Sequence, residues 1–485
     1  MRIEDIEPQK VWTIFKEITT IPRCSGREQR FQYWVEEWSK KNELSFNKDE
    51  VGNILLSKKA VEGYSNVPTI IFQVHQDMIC EKTSDSTHNF ETDQLDLKFK
   101  DEYLIAKDTS LGADNGIGIA LAMASLIDPE TTCYGKLEVL MTVEEETNQK
   151  GALNVKKGFF DGKWMINLDS EKAGVIIVQS AGGSSTEYKF ENNFETLENW
   201  VGKSLKVTDL LGGHSGVDIH LPRVNAIKLV SEVLLKLTEH FPIRICKLEG
   251  GTRENAIPRT ANCDFLVKHQ NSEKTNILFN RLREEIKSKY SYETDLVINM
   301  GIQSPTKSLS EITSNNIINL INEIPQGVIS YSEKIKGIVQ TSNNIGVIKN
   351  LDGIIINVSS RSSDKSDMVT LTRKLRKIGE KYNAEVSQTL PSYGWSTSPN
   401  SPLVTFTFKK YREILGIDPK ITGIHGGLEC SQFASLDPEL QILSIGSTIE
   451  YPHTTREQLQ IKSVSIVWAL LKIMIRDIKQ VQPNK

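Results

Sequence analysis

The sequence predicts an α/β fold with a central mixed sheet flanked by helices, carrying an α+β insertion. Three observations predict it. A chain of 485 residues exceeds what one hydrophobic core ordinarily organises, so two domains are expected. Residues 1–183 alternate short β-rich runs with helix-period segments, the mark of an α/β layer. After AGGSS (181–185) that alternation gives way to longer strand-like runs and charged helices.

Helical periodicity opens the chain at about 8–19 and 27–41. VGNILLS and VPTIIFQVH follow as strands, the second ending at His75. LGADNGIGIALAMASLI is a glycine-rich turn entering a helix, and KLEVLMTVEEE and KWMINLDS are apolar runs closed by acids. In open α/β sheets ligands gather at the carboxyl ends of strands, where these polar residues fall. The insertion spans 184–386 and contains the strand KSLKVTDL, helices near 225–240, 273–289 and 310–322, the strand GIIINVSS and the helix DKSDMVTLTRKLRKIGEKY. LPSYGWSTSPNSP, rich in Pro, Ser and Gly, reads as a return linker. Residues 387–485 then rejoin the first part, 1–183. No repeat of fixed period is present.

Composition excludes several classes. At 38% hydrophobic and 25% charged, the chain is neither low-complexity nor disordered. A net charge of -4 and the absence of a long basic run speak against nucleic acid as a partner. The start MRIEDIEPQKVWTIF lacks the basic and apolar regions of a signal peptide, and no apolar run reaches the roughly 18–20 residues that span a bilayer. No membrane association and a cytoplasmic location are therefore expected. Six scattered cysteines without a CxxC pair read as reduced thiols in such a compartment.

Five elements carry chemistry. His75 ends an apolar strand and alone reads equally well as a hydrogen-bonded core residue. Asp77, two residues on, points to the same side of a strand and can fix the imidazole tautomer, as metal-binding histidines require. SLGADNGIG sets Asp114 among small residues that allow close approach, and it matches neither the dinucleotide nor the P-loop glycine pattern. VEEET would by default be a solvated acidic face, but here it closes an apolar strand. Two adjacent carboxylates there can divide labour between metal binding and proton transfer. NLDSE places Asp169 at another strand end, and YPHTTREQ puts His453 in a loop before a helix. Two histidines with several carboxylates form a ligand mixture typical of zinc.

In their order these elements resemble the dinuclear zinc peptidases of the M20 family, and within it the bacterial aminoacyl-histidine dipeptidases. The resemblance covers essentially the whole chain. It extends to GGHSGVDIH with RVNA (212–226), GGTRENAIPR (250–259), QTSNNIGVI (340–348), the arginine of SSRSS, and HGGLEC (425–430). It implies that His75 and Asp169 hold one metal, Glu146 and His453 the other, and that Asp114 bridges. It makes Asp77 the partner of His75 and Glu145 the general base acting on a water between two Zn2+ ions per subunit, with Mn2+ or Co2+ able to substitute. The register within the triple acid follows from Gly151-Ala152, which selects Glu145 and Glu146 and leaves Glu144 outside.

The same resemblance casts the insertion as a lid. His214 would polarise the scissile carbonyl, Asn255 and Arg361 would hold the carbonyl and the terminal carboxylate, and Glu429 would meet the substrate's amino group. The implied activity is hydrolysis of dipeptides, Xaa-His and broader, with a small peptide as substrate and a homodimer as a possible assembly. A related acylase or deacetylase acting on N-acyl amino acids would share every ligand, and a non-catalytic binding protein would have lost one. The chain departs from the family's usual motifs at GSTI (446–449) and PHTT (452–455), neither of which changes a proposed ligand.

Overall fold

Ile70–His75 and Leu137–Thr142 are buried at every position. Strands buried on both faces belong at the centre of a sheet covered by helices on both sides. In the computed structural model, which describes residues 2–128, 130, 134–304, 307–351 and 353–480, the two pair in parallel, with His75 opposite Thr142. They lie within an eight-stranded mixed sheet of order Ser45–Lys48, Ile54–Lys58, Leu137–Thr142, Ile70–His75, Trp164–Asn167, Gln441–Ser444, Val175–Ile177 and Lys420–Thr422. Pairing is antiparallel along the first edge and parallel through the centre. The parallel strands consequently finish side by side, and the residues just beyond them (Asp77, Glu145, Glu146 and Asp169) leave from one edge.

The Ala113–Ile127 helix belongs to the same unit and is buried over nearly its whole length, as a segment apolar on all sides must be. Its glycines are required by close contact. A Cβ at Gly118 would stand 2.7 Å from the Leu168 carbonyl oxygen. A four-stranded sheet, Ile449–Glu450, Gln458–Gln460, Tyr103–Ala106 and Leu97–Lys100, completes the β-structure around His453.

The chain divides into two compact units: 1–180 with 395–423 and 428–485, and 181–394 with 424–427. The expected borders at 183/184 and 386/387 therefore move, for two reasons. Trp395–Ser396, inside the stretch read as linker, is an ordered strand pairing antiparallel with Gln179–Ser180. The IHGG turn at 424–427 belongs to the second unit, where the Gly426 carbonyl accepts the Ala181 N–H at 2.9 Å, so the last segment is not continuous.

The second unit is built on a nine-stranded sheet, and all its pairings are antiparallel. Gly182–Phe190 alternates buried and half-buried residues, the period-two pattern of a sheet with one face in a core. Helices Ala226–Thr238, Ser272–Lys289, Glu311–Glu323 and Lys365–Lys381 supply the facing apolar residues, among them Leu229, Val233, Phe279, Ile317 and Leu375. Three of these helices start on side-chain caps. Asn225 accepts from Ile227 and Lys228, Ser310 from Thr313, and Asp364 from Asp367.

The cysteine reading needs correction. Cys24 and Cys80 are joined by a disulfide across 56 residues, with a Cα separation of 5.7 Å. A parallel bridge between Cys24 and Met78 brings the two segments together, a pairing that cysteine spacing alone does not reveal. Cys246, Cys263 and Cys430 are free, and Cys133 lies outside the described residues. Among the described residues, no helix is long and apolar enough to cross a membrane.

Candidate metal centre

His75 is the last residue of its strand and is 1% exposed. Its Nε2 lies 3.0 Å from Asp114 Oδ1 and 3.3 Å from Asp169 Oδ1. His453 places its Nε2 3.1 Å from Asp114 Oδ2 and 2.8 Å from Glu146 Oε2. The structure thus brings His75, Asp114, Glu146, Asp169 and His453 into one cluster, and the two oxygens of Asp114 each face a different imidazole.

Asp77 organises the adjacent backbone. Its carboxylate accepts the N–H groups of Glu145 at 3.0 Å and Glu146 at 3.2 Å, and the Ser25 hydroxyl at 2.7 Å. His75 Nδ1 stands 3.1 Å from the Asp77 carbonyl oxygen and 3.4 Å from Oδ1, so backbone and side chain of one residue share it. Neighbouring strand residues point to opposite faces, and two adjacent glutamates can share a site only if the strand stops. It stops at Thr142, and Glu144 adopts a left-handed conformation with φ 50°. Glu145 and Glu146 then open a short helix, Glu145–Asn148. Glu144 pairs with Lys150 at 2.5 Å. The glycine that selected this register is sterically required, since a Cβ at Gly151 would meet the Val143 nitrogen at 2.4 Å.

Two buried residues that the sequence reading did not single out hold the Asp114 loop. Glu457 accepts the N–H groups of Leu111, Gly112, Ala113 and Asp114 at 2.7, 2.8, 2.8 and 3.2 Å. Arg23 donates to the carbonyls of Gln76 (2.9 Å), Asp77 (2.7 Å) and Gly112. The small residues around Asp114 make room for this guanidinium: a Cβ at Gly116 would lie 2.7 Å from its Nη2. The signal for Glu457 was an acid in the same motif as His453. For Arg23 only its place in IPRCSG marks it. Asn115 adds a bond to Asp169 Oδ1 at 2.6 Å.

The electrostatics of the protein alone are those of crowded acids. Burial opposes a charged His75, yet Asp169, Asp114 and Asp77 hold its pKa well above the ordinary histidine value. Hydrogen bonds to Asp114 and Glu146 push His453 up to about 11 against burial. Burial raises Asp169, and it raises Glu145 to about 7 with help from the charges of Glu146, Asp114 and Asp77. Burial likewise puts Glu171 at about 7. Buried like charges are costly unless neutralised, and Glu146 Oε1 is buried without any hydrogen-bond partner. One donor atom each from His75, Asp114 and Glu146 lie within 4.8 Å of one another. Nitrogen and oxygen donors so disposed, with an excess of negative charge and an orphaned carboxylate oxygen, fit divalent cations.

Comparison with known proteins agrees with this chemistry. The peptidase dimerisation domain of the M20 peptidases matches residues 208–294. The cytosol non-specific dipeptidase of Escherichia coli K12 is 33% identical over 480 residues, covering 98% of this chain and 99% of that one. The chain belongs to the M20 peptidase family. It is therefore a hydrolase of peptide bonds. The aminoacylhistidine dipeptidase of Vibrio alginolyticus superposes with a TM-score of 0.94 at 30% identity, over 100% of this chain and 99% of that structure. A tripeptidase of Staphylococcus aureus shares the fold at a TM-score of 0.57 and 16% identity, over 98% and 99% of the two chains.

The remaining candidate residues of this M20 chain fall in two places. In the second unit His214 pairs with Ala256 across a short antiparallel bridge, which sets Asn255 beside it, and the Asn255 carbonyl accepts the Ser215 N–H at 2.9 Å. His214 Nδ1 accepts the N–H groups of Gly216 and Val217, so its proton sits on Nε2, a free donor. Burial and the charge of Arg361 lower its pKa. The Arg361 guanidinium is largely buried with Nε unpartnered. Glu429 belongs to the first unit and is 1% exposed. Its Oε2 accepts from Gln73 Nε2 and Thr142 Oγ1, both at 2.6 Å, while Oε1 is buried without a partner. Burial, then the Glu145 charge, raise it to about 8.

Proposed function

We propose that this M20 peptidase is a dipeptidase acting on Xaa-His and a broader set of dipeptides, with two divalent ions, zinc first among them, at the Asp114 cluster. His75 and Asp169 would hold one ion, Glu146 and His453 the other, and Asp114 both. One observation carries the reading: the two oxygens of Asp114 face separate imidazole nitrogens at 3.0 and 3.1 Å, with one further carboxylate on each histidine. Ions bound there supply Lewis-acid polarisation of the scissile carbonyl and acidify water at neutral pH.

The chain's own residues do the rest. Asp77 orients the His75 ring and fixes the backbone from which Glu145 and Glu146 project. Glu145 takes a proton from the attacking water and delivers it to the leaving nitrogen. His214 Nε2–H donates to the oxygen that gains charge in the transition state, with Asn255 beside it. Arg361 pairs with the terminal carboxylate and Glu429 Oε1 with the amino group of the substrate. In this reading the second unit serves as a lid, and its match to a dimerisation domain supports a homodimer. The cytosolic relative supports a cytoplasmic location.

The test is a panel of dipeptides, Xaa-His included, beside N-acetylated controls, run on the purified protein with and without a chelator. Chelator-sensitive cleavage of free dipeptides is the expected result. Preference for N-acyl amino acids would replace the dipeptidase with an acylase, and indifference to chelator would remove the metal from the reaction.

A further inference from the structure

Asp114 begins the helix Ala113–Ile127 but is not helical itself, with φ -79° and ψ 111°. The first N–H groups of any helix lack intrahelical partners. Here the residue ahead of the helix is Gly112, in the left-handed region at φ 64° and without a side chain to cap it. The N–H groups of residues 111–114 instead form a concave row of donors, the kind of nest that binds an anion. Glu457 fills it from a site 343 residues along the chain: Oε2 takes Leu111 and Gly112, and Oε1 takes Ala113 and Asp114. Glu457 is 2% exposed, and these four bonds of its carboxylate all run to backbone N–H groups.

Arg23 completes the arrangement. It is 2% exposed, and its fork grips Gln76 and Asp77 carbonyls with one nitrogen and the Gly112 carbonyl with the other. One rigid, permanently charged group thereby sets the spacing between the strand end that carries His75 and the loop that carries Asp114. Burial opposes its charge, and Asp77 and Glu457 are the anions that offset this most. A Cβ at 112 or 116 would come within 2.8 and 2.7 Å of Arg23 Nη2, so any larger residue there would push the guanidinium from its place.

We infer that Glu457 and Arg23 are positioning residues of the dinuclear centre: Glu457 locks the backbone of Asp114 so that its two oxygens face the two different imidazoles and would serve both ions, and Arg23 fixes the distance from that loop to the His75 strand. The inference rests on the metallopeptidase reading above. Acting through backbone groups, neither residue needs to touch an ion or the substrate. Replacing Glu457 by glutamine leaves the volume unchanged but turns an NH2 group toward N–H donors, so half of the nest loses its acceptor.

The experiment is a Mn2+ titration of the metal-free full-length protein, followed by the electron paramagnetic resonance of free Mn2+, with Zn2+ as competitor. Circular dichroism at the same temperature monitors folding. E457Q should remain folded and lose about 10–100-fold in ion affinity, the range found when partners of metal ligands are removed. The exchange-coupled signal of two bridged Mn2+ ions should weaken in parallel. A folded E457Q with the parent's affinity and coupling overturns the inference. Should E457Q fail to fold, R23K carries the test: an ammonium cannot serve three carbonyls in two directions, and an unchanged affinity there overturns it equally. A parent that binds no ion overturns both readings, whereas a parent that binds ions as tightly as its E457Q variant overturns this one alone.

Discussion

Replacing Asp77 with asparagine changes one oxygen to an NH2 group and leaves the shape of the side chain intact. The parent carboxylate accepts from three groups within 3.2 Å, the N–H of Glu145, the N–H of Glu146 and the hydroxyl of Ser25, and stands 3.4 Å from His75 Nδ1. Burial would raise its pKa, but His75, Ser25 and the Glu145 N–H hold it down at about 2, so all four partners meet a full negative charge. An asparagine can satisfy one of the two backbone N–H groups and must oppose the other. Each hydrogen bond to a buried charge is worth roughly 1.5–3 kcal/mol, and 1.4 kcal/mol is tenfold in an equilibrium. D77N should therefore lose about 10–100-fold in metal affinity and more in kcat/KM, because Glu145 and Glu146 shift together. Ser25→Ala removes a single donor that water can replace and should cost less than about tenfold. Metal content after dialysis, measured beside steady-state kinetics, decides the matter. A D77N protein that keeps its metals and its kcat/KM refutes the argument that Asp77 builds the centre.

Three further outcomes are expected. Glu145→Gln should retain both metals and lose about 10²–10⁴-fold in kcat, the usual worth of a general base, whereas Glu146→Gln should lose metal as well; the reverse pattern would show that the two roles are exchanged. Removal of metal by chelation should abolish cleavage and lower the thermal midpoint, since ions that bind only the folded state stabilise it, and Zn2+ or Mn2+ should restore both; a midpoint unmoved by chelation would refute coupling of the ions to folding. Lys410 and Asp477 tie the helices Pro402–Leu415 and Ile461–Asp477 at 2.8 Å, and hydrogen bonds from Arg476 and Lys410 lower Asp477 to about 2. A depressed carboxylate stabilises above its unfolded pKa and stops doing so as pH falls through its folded one. Asp477→Asn should thus cost about 2 kcal/mol near pH 7, and urea midpoints of parent and variant should converge as pH falls from about 4 through 2.

Much of the fold was legible because the strongest signals coincide with the deepest burial. IIFQVH and LEVLMT read as strands because apolar residues dominate them, with Gln73, His75, Glu138 and Thr142 as the exceptions, and the small and apolar residues after Asp114 read as a helix. Boundaries were less legible where burial does not decide them. LPSYGWSTSPNSP has the composition of a linker, yet Trp395 pairs with Ser180, a contact between residues more than two hundred positions apart. The IHGG turn falls inside the segment 387–485 that was expected to rejoin the first part, and it lies with the second unit.

The cluster was legible for a different reason. His75, Asp169 and the acids of VEEET close apolar runs, where a polar residue is costly enough to need an explanation. Asp114 among glycines, His453 in its loop and the choice of Glu146 were legible through the resemblance to the M20 family. Arg23 and Glu457 escaped notice because a charged residue in a loop normally faces water, and only the shared motif with His453 sets Glu457 apart. What buries them is a demand created by the fold itself. A glycine-rich entry to a helix leaves the backbone donors at 111–114 without intrahelical partners and brings the carbonyls of 76, 77 and 112 close together, and buried peptide groups must be paired. A glutamate carboxylate takes the donors and an arginine fork takes the carbonyls, each charge partly compensating the other. The glycines that let metal ligands come close are therefore also the reason that two buried ions of opposite sign stand behind them. Enlarging Gly116 or Gly112 should disturb the centre through Arg23 before it touches any ligand.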